Sequence, residues 1–369
     1  MKNDVGKAKY MILVEEFRQK IRTGEIPAGE KLPSEYQLVE QYEVSRHTVR
    51  KALSILENEG LVEAVHGKGT FCKDRRQNRE PSHNVAVVTT YISDYIFPRV
   101  LQGMEQVLTE NGYSIILKNT KNSRANEARI LEELLQKNID GLIIEPAKSQ
   151  IYCGHMQLYK MLDEYEIPYI FIHGIYDQMR DHDFVRMDDC LGGYLATKHL
   201  LDLGHRQIVG IFKADDVQGK ERHKGYVRAL QEAGCFYDPD KVIWYHTEDR
   251  KQKPVRMLEN LLKENVPVHG VVCYNDQIAV PVVEMLLKRG YRVPEDISVT
   301  GYDDSYLAET CPVKLTTVAH PHEELGAMAA EFLLRKLNGT ATEEKPQSLL
   351  IQPKLIIRDS SSERKTNEM

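Results

Sequence analysis

Long apolar runs are missing from the 369-residue chain; none approaches the ~18 residues that a membrane-spanning helix requires. Its opening residues, MKNDVGKAKYMILVEEF, put Glu15 and Glu16 where a secretory peptide keeps its apolar stretch. The expected location is therefore cytoplasmic, with no membrane partner. The six cysteines (Cys72, Cys153, Cys190, Cys235, Cys273 and Cys311) stand singly, with no CxxC pair. That spacing argues against a zinc ribbon or a disulfide framework and suits a reducing compartment. No GxSxG, HExxH or GxxxxGKS/T occurs, which removes the commonest motif-borne hydrolase, zinc and P-loop readings. The carboxylate pairs Asp188-Asp189, Asp215-Asp216 and Asp303-Asp304 could suggest acid–base catalysis, but neighbours on a strand point to opposite faces. His320 and His322 form an HxH pair without a third ligand close in sequence. No catalytic residue, metal site or cofactor is expected.

Charge is present and unevenly placed. Residues 1–80 carry 15 Lys and Arg against 13 Asp and Glu, and the remainder carries 34 against 42. The asymmetry points to two modules with different partners. Between them, KDRRQNREPS (73–82) has no apolar residue, and its Pro81 would interrupt a helix, so it reads as a linker. The expected division is a head over 1–72, the linker over 73–82, a body over 83–360 and a flexible tail over 361–369.

In the head, Tyr10, Leu13, Phe17 and Ile21 recur at helical spacing. Ser34 with Gln37 forms a capping box for a short second helix, and Ser45 caps a third. On that third helix Val49, Ala52, Leu53 and Leu56 share one side, while Arg46, His47, Arg50 and Lys51 span the opposite arc. Cations at a helix N-terminus oppose the macrodipole, a conflict that an external polyanion resolves. Arg can also read guanine O6/N7 from a major-groove helix. Leu61–Val65 and Thr70–Cys72 read as a hairpin tipped by His66-Gly67-Lys68-Gly69, suited to a nucleic-acid backbone or minor groove.

The motifs LPSEYQL, VSRHTVRKAL, EGLV and GKGTF over residues 9–72 resemble the winged helix-turn-helix of GntR-type bacterial regulators. The resemblance implies double-stranded operator DNA as partner. It places Ser34 and Glu35 at a phosphate-facing helix start and Arg46, His47, Thr48 and Arg50 in the groove, with Arg50 as base reader. Lys9 and Thr70 would touch phosphates, and His66 and Gly67 would form the wing tip. Ser45 and Lys68 complete the expected DNA-facing set. Cys72 stands where an aliphatic residue is usual.

In the body, apolar runs alternate with helix-length segments, the pattern of a doubly wound parallel α/β fold. Strands are expected at 83–90, 113–119, 140–145, 167–172, 207–213, 242–245, 268–274 and 298–302. Asp94, Glu145, His173, Asn275 and Asp303 each follow an expected strand, and Arg222 begins a helix after another. Ligands of such folds bind beyond strand C-termini. Carboxylates, an amide and a guanidinium converging there suit a polyol, and Tyr91, Tyr95 and Phe97 could stack on its apolar face.

The segments IDGLIIEP, IPYIFI, MDDCLGGYLATKHLLDLGHRQIVGIF, GVVCYNDQIA, RVPEDISVTGYDD and KLTTVAHPHEELG resemble the effector domain of LacI/GalR regulators across 84–358. The resemblance implies a periplasmic-binding-protein-like type 1 body, with two parallel-sheet subdomains around a sugar cleft. It puts Arg222, Asn275 and Asp303 on the sugar hydroxyls. His173 departs from an acidic residue common there, and His320 and His322 also depart at a position near the cleft, with packed surface residues as the alternative. The pairing of the two modules, with TTYISDYIFP and FKADDVQG, resembles arabinose-responsive repressors of Gram-positive bacteria. It implies a homodimeric sugar-responsive repressor with L-arabinose as effector; composition and spacing leave another pentose, a hexose or a sugar phosphate open. A transport binding protein would lack the head. A head-fused aminotransferase would need a longer body than the roughly 285 residues left here.

Overall fold

The computed structural model of the chain describes residues 8–22, 25–73, 81–92, 95–340 and 348–364. Asp94, most of the expected linker and residues 365–369 lie outside these.

In the head, α1 (Lys9–Arg22) buries Leu13, Val14 and Phe17. The helix α2 (Glu35–Tyr42) begins at a reciprocal cap: Gln37 N donates to Ser34 Oγ at 3.3 Å, and Ser34 N donates to Gln37 Oε1 at 2.8 Å. After a left-handed turn at Glu43, Ser45 Oγ accepts from Thr48 N at 3.2 Å and starts α3 (Arg46–Asn58). Val49, Ala52 and Leu56 face the head core, which leaves the opposite arc to solvent. The strands β1 (Val62–Val65) and β2 (Gly69–Cys72) pair antiparallel with Val65 opposite Gly69, so His66–Lys68 is the tip. Gly67 sits there at φ +74°, a conformation that glycine adopts without strain. Cys72 is buried among the aliphatic side chains of the head core.

The body contains two six-stranded sheets. The first comprises β3 (Asn84–Thr89), β4 (Ser114–Asn119), β5 (Gly141–Ile144), β6 (Tyr169–Ile172), β7 (Phe184–Met187) and β13 (Ser348–Ile351), in the order β13-β7-β6-β5-β3-β4 and all parallel. The second comprises β8 (Ile208–Lys213), β9 (Val242–Tyr245), β10 (Gly270–Cys273), β11 (Ser298–Asp303), β12 (Thr316–Ala319) and β14 (Lys354–Ile356), in the order β14-β12-β11-β10-β8-β9. Here β14 runs antiparallel to β12. Both sheets therefore share one strand order, a duplication that leaves no short-period repeat in the chain.

The chain passes between the sheets three times. From β7 it enters α7 (Asp189–Asp202), whose Ala196 and Leu200 join the second sheet's Ile208 and Phe212. From β12 it returns through α12 (His322–Leu337), whose Leu325, Ala329 and Leu333 join Val85 and Ile143 of the first. It crosses again between β13 and β14. The helix α8 (Val217–Glu232) meets α7 at glycines: a Cβ on Gly193 would stand 2.1 Å from Arg222 O, and one on Gly225 2.0 Å from Cys190 O. This close approach sets the depth at which α8 delivers Arg222.

The C-terminal segment differs from the flexible tail expected from residue 361. His199 Nε2 lies 2.8 Å from Ser361 Oγ, His205 Nε2 2.9 Å from Ser362 O, and Arg364 N donates to Leu203 O at 2.9 Å. Polar partners at the end of α7 hold residues 361–364, and a segment without apolar side chains gives no hint of such anchoring.

Candidate functional site

Arg46, His47 and Arg50 are exposed along the start of α3. The hydroxyls of Ser45 and Thr48 lie 2.8 Å apart within the helix cap. Arg50 Nε donates to both carboxylate oxygens of Glu35, at 2.9 and 3.1 Å, so α2 orients this guanidinium of α3. Lys51, on the same arc, instead covers the Tyr10 ring at 3.9 Å. Ser34 and Glu35 share a groove with His66, Gly67, Lys68 and Thr70 of the wing. Lys9 is exposed at the start of α1. The surface combines exposed cations with a helix start and a glycine-tipped hairpin, the equipment for gripping a phosphate backbone while reaching a groove.

The body holds a cavity of about 530 Å³ beyond the strand ends. Tyr91, Tyr95, Phe97, Glu145, His173, Arg222, Asn275 and Asp303 all line it. Arg222 is its hub. Its Nε donates to Asp189 Oδ1 at 2.8 Å and its Nη1 to Tyr274 O at 2.7 Å, and its Nη2 lies 3.8 Å from Asp303 Oδ1. The guanidinium also stacks 3.5 Å from the Tyr302 ring centre. Burial opposes its charge, but Asp189, Tyr302 and Asp303 outweigh that and push its pKa well above the ordinary value. Tyr95 Oη donates to Asp303 Oδ2 at 2.7 Å, and burial and that carboxylate push the phenol far up, so it stays a donor.

Glu145 sits on the other wall. It accepts from Thr90 N at 2.9 Å, Thr90 Oγ1 at 2.6 Å and Thr89 Oγ1 at 3.1 Å, and its Oε1 lies 3.3 Å from His173 Nδ1. Burial raises its pKa, yet the contacts with His173 and Thr90 prevail and hold the carboxyl at about 2. His173 and Asp303 both have positive φ, +61° and +95°. Such backbone is costly for non-glycine residues and gathers at functional sites. Asn275 caps α10 (Asp276–Lys288) through its side chain, accepting from Ile278 N at 3.3 Å, so it is both a cap and a cleft residue.

Sequence reasoning missed Asp189, Lys213, Asp216, Gln218 and Tyr274, which also line the cavity together with His320, which the resemblance puts near the cleft. Two of them belong to the carboxylate pairs set aside above. Asp188 caps α7 while Asp189 meets Arg222. Asp216 caps α8 through Gly219 N and also takes Tyr274 Oη at 2.7 Å and Lys213 Nζ at 2.9 Å. The HxH pair needs correction too: His320 and His322 are buried, not packed at the surface, because β12 and α12 enclose the crossing between the sheets.

Behind the cleft, Asp276 accepts from Ser305 N, Ser305 Oγ and Thr317 Oγ1 at 2.8, 2.9 and 2.7 Å. Burial, then Asp303, pushes its carboxyl up to about 7. The folded state thus holds a proton that the unfolded state has lost, and this contribution to stability disappears as pH rises through about 7. Asp276→Asn carries no such charge. Its stability relative to the original protein should rise between pH 5 and pH 8 in urea melts, and a flat difference would contradict the assignment.

Residues 9–72 match the bacterial regulatory proteins of the gntR family, and residues 197–361 match the periplasmic binding protein-like domain. With the winged head and the duplicated α/β body, these matches define a transcriptional regulator whose DNA-binding head is joined to an effector-binding type of body. The "Arabinose metabolism transcriptional repressor" of Halalkalibacterium halodurans is 41% identical over 370 residues, 98% of each chain. Among solved structures, the transcriptional regulator CelR in complex with cellobiose is similar with a TM-score of 0.69 and 27% identity, over 86% of this chain and 91% of that one. A LacI family regulator from Enterococcus faecium with bound ribose gives 0.66 and 28%, over 76% and 100%. The chain belongs to the family of arabinose metabolism transcriptional repressors. It is a DNA-binding repressor rather than an enzyme.

Proposed function

We propose that L-arabinose is the effector, that it binds the cleft built around Arg222, and that its binding loosens the grip of a homodimer on operator DNA in the cytoplasm. The observation that carries this reading is the chemistry of the cleft. Carboxylates at Glu145, Asp189 and Asp303, the amide of Asn275 and the guanidinium of Arg222 offer fixed acceptors and donors to a polyol. Tyr91 and Tyr95 offer ring faces to its apolar side. The name of the relative at 41% identity favours arabinose over other sugars, and bound ribose in a similar structure favours a pentose.

In this reading residues 1–72 are the DNA-binding head, 73–82 the linker and 83–360 the sugar-binding and dimerisation body. Two heads related by a two-fold axis match a pseudo-palindromic operator. Arg50 reads base edges from the major groove; Arg46, His47, Thr48 and Ser45 flank it, and Lys9, Ser34, Glu35, His66, Gly67, Lys68 and Thr70 follow the backbone. Sugar and DNA then weaken each other's binding by the same factor.

The test is thermal melting with pentoses, hexoses and their phosphates. A ligand at 100 times its Kd adds about 2.7 kcal/mol of stability, enough to move Tm visibly. A shift confined to L-arabinose is expected. A shift with another sugar would replace the effector, and no shift with any of them would contradict a sugar-binding cleft.

A further inference from the structure

His320 has no part in the hydrogen-bonding network around Arg222, yet it lines the cleft while only 6% exposed. Among the described residues, neither of its ring nitrogens has a hydrogen-bond partner. Its ring stacks on His322 at 4.7 Å and meets the edge of His173 at 5.2 Å. His173 Nε2 is likewise buried without a partner among the described residues, whereas its Nδ1 faces Glu145. Buried polar atoms left unpaired are costly, and a fold retains them where a ligand supplies the missing bonds.

We propose that His320 and His173 form an imidazole wall that selects the effector, pairing with adjacent hydroxyls of an uncharged sugar and excluding phosphorylated ones. The proposal rests on the sugar-cleft reading above and specifies which class of sugar fits.

His173 Nδ1 lies 3.3 Å from Glu145 Oε1, which leaves Nε2 as the ring atom placed to meet a sugar hydroxyl. A neutral His320 offers one donor and one acceptor, so the wall as a whole matches hydroxyls, which also do both. Several groups face this wall. Arg222 from α8 and the rings of His173 and His322 oppose a proton on His320; Glu145 and Asp303, at the ends of β5 and β11, are the nearby anions, and Arg99 of α4 (Phe97–Glu110) acts on His322. Burial first, then these three neighbours, push the His320 pKa well below the ordinary histidine value, so its imidazole stays neutral. A phosphate seated here would meet the neutral His320 ring and the Glu145 and Asp303 carboxylates, which repel it. Lys213 is held by Asp216 and Arg222 by Asp189, while Arg250, which lines the cavity together with Lys251, covers the Tyr91 ring.

The experiment is calorimetric titration of the full chain with L-arabinose and with arabinose 5-phosphate, alongside His320→Leu and His320→Asn. His320→Leu should weaken L-arabinose binding at least tenfold without lowering the Tm of the sugar-free protein, because it removes unpaired polar atoms and keeps the volume. His320→Asn, which both donates and accepts, should restore most of that loss. Unchanged arabinose affinity in His320→Leu overturns the wall while leaving the sugar cleft standing. Equal loss in Leu and Asn variants with a lowered Tm makes His320 a packing residue and overturns it as well. Preference of the original protein for the phosphate overturns the selectivity, and absence of binding by either compound overturns the sugar-cleft reading itself.

Discussion

Arg222→Ala is expected to hold operator DNA and to ignore L-arabinose. The guanidinium is the point where α7, α8, β10 and β11 meet in the cleft, through Asp189, Tyr274 O and Asp303. Losing a hydrogen bond from a charged group to the sugar costs about 1.5–3 kcal/mol, or at least roughly tenfold in affinity. The two carboxylates left behind also oppose folding, so a fall in Tm accompanies the loss. The head carries its own core of Leu13, Phe17, Leu38, Val49 and Leu56, which this substitution does not touch. Operator binding measured with and without sugar reads both effects, and normal release by arabinose in this variant would remove Arg222 from the site.

Arg50→Ala is expected to do the reverse. The exposed guanidinium is oriented by Glu35 and buried against nothing, so its removal costs the fold little. Specific DNA affinity should fall by about 1–3 kcal/mol, while arabinose-induced stabilisation stays unchanged. Glu35→Ala frees the same guanidinium and should reduce discrimination between operator and unrelated DNA. Unchanged operator affinity in Arg50→Ala would displace α3 as the reading helix.

The parts of this design that are local codes were legible in the sequence. The caps at Ser34 and Ser45 are written in side chains three residues apart, and their hydrogen bonds form as read. Strands buried on both faces, such as β3 and β5, read as continuous apolar runs. By contrast, β7, β12, β13 and β14 were missed. They are short, and Arg186, Thr316, Thr317, Ser348 and Lys354 interrupt their apolar character. Without β12, the rule that ligands lie beyond strand ends could not reach His320, and only the resemblance put it near the cleft. Asp189 and Asp216 were hidden differently: each sits beside a second aspartate, and only the fold separates the cleft-facing member from its neighbour. The duplication of the two sheets is a property of topology, with no repeated motif to announce it.

The central claim is that one small molecule in the Arg222 cleft controls the head. Fluorescence anisotropy of labelled operator DNA with the purified protein, titrated with L-arabinose, measures that coupling directly. Arabinose is expected to release the DNA, the same concentration of D-xylose or D-galactose is not, and the DNA is expected to weaken arabinose binding by an equal factor. Operator affinity unaffected by arabinose at saturating concentration would contradict this coupling.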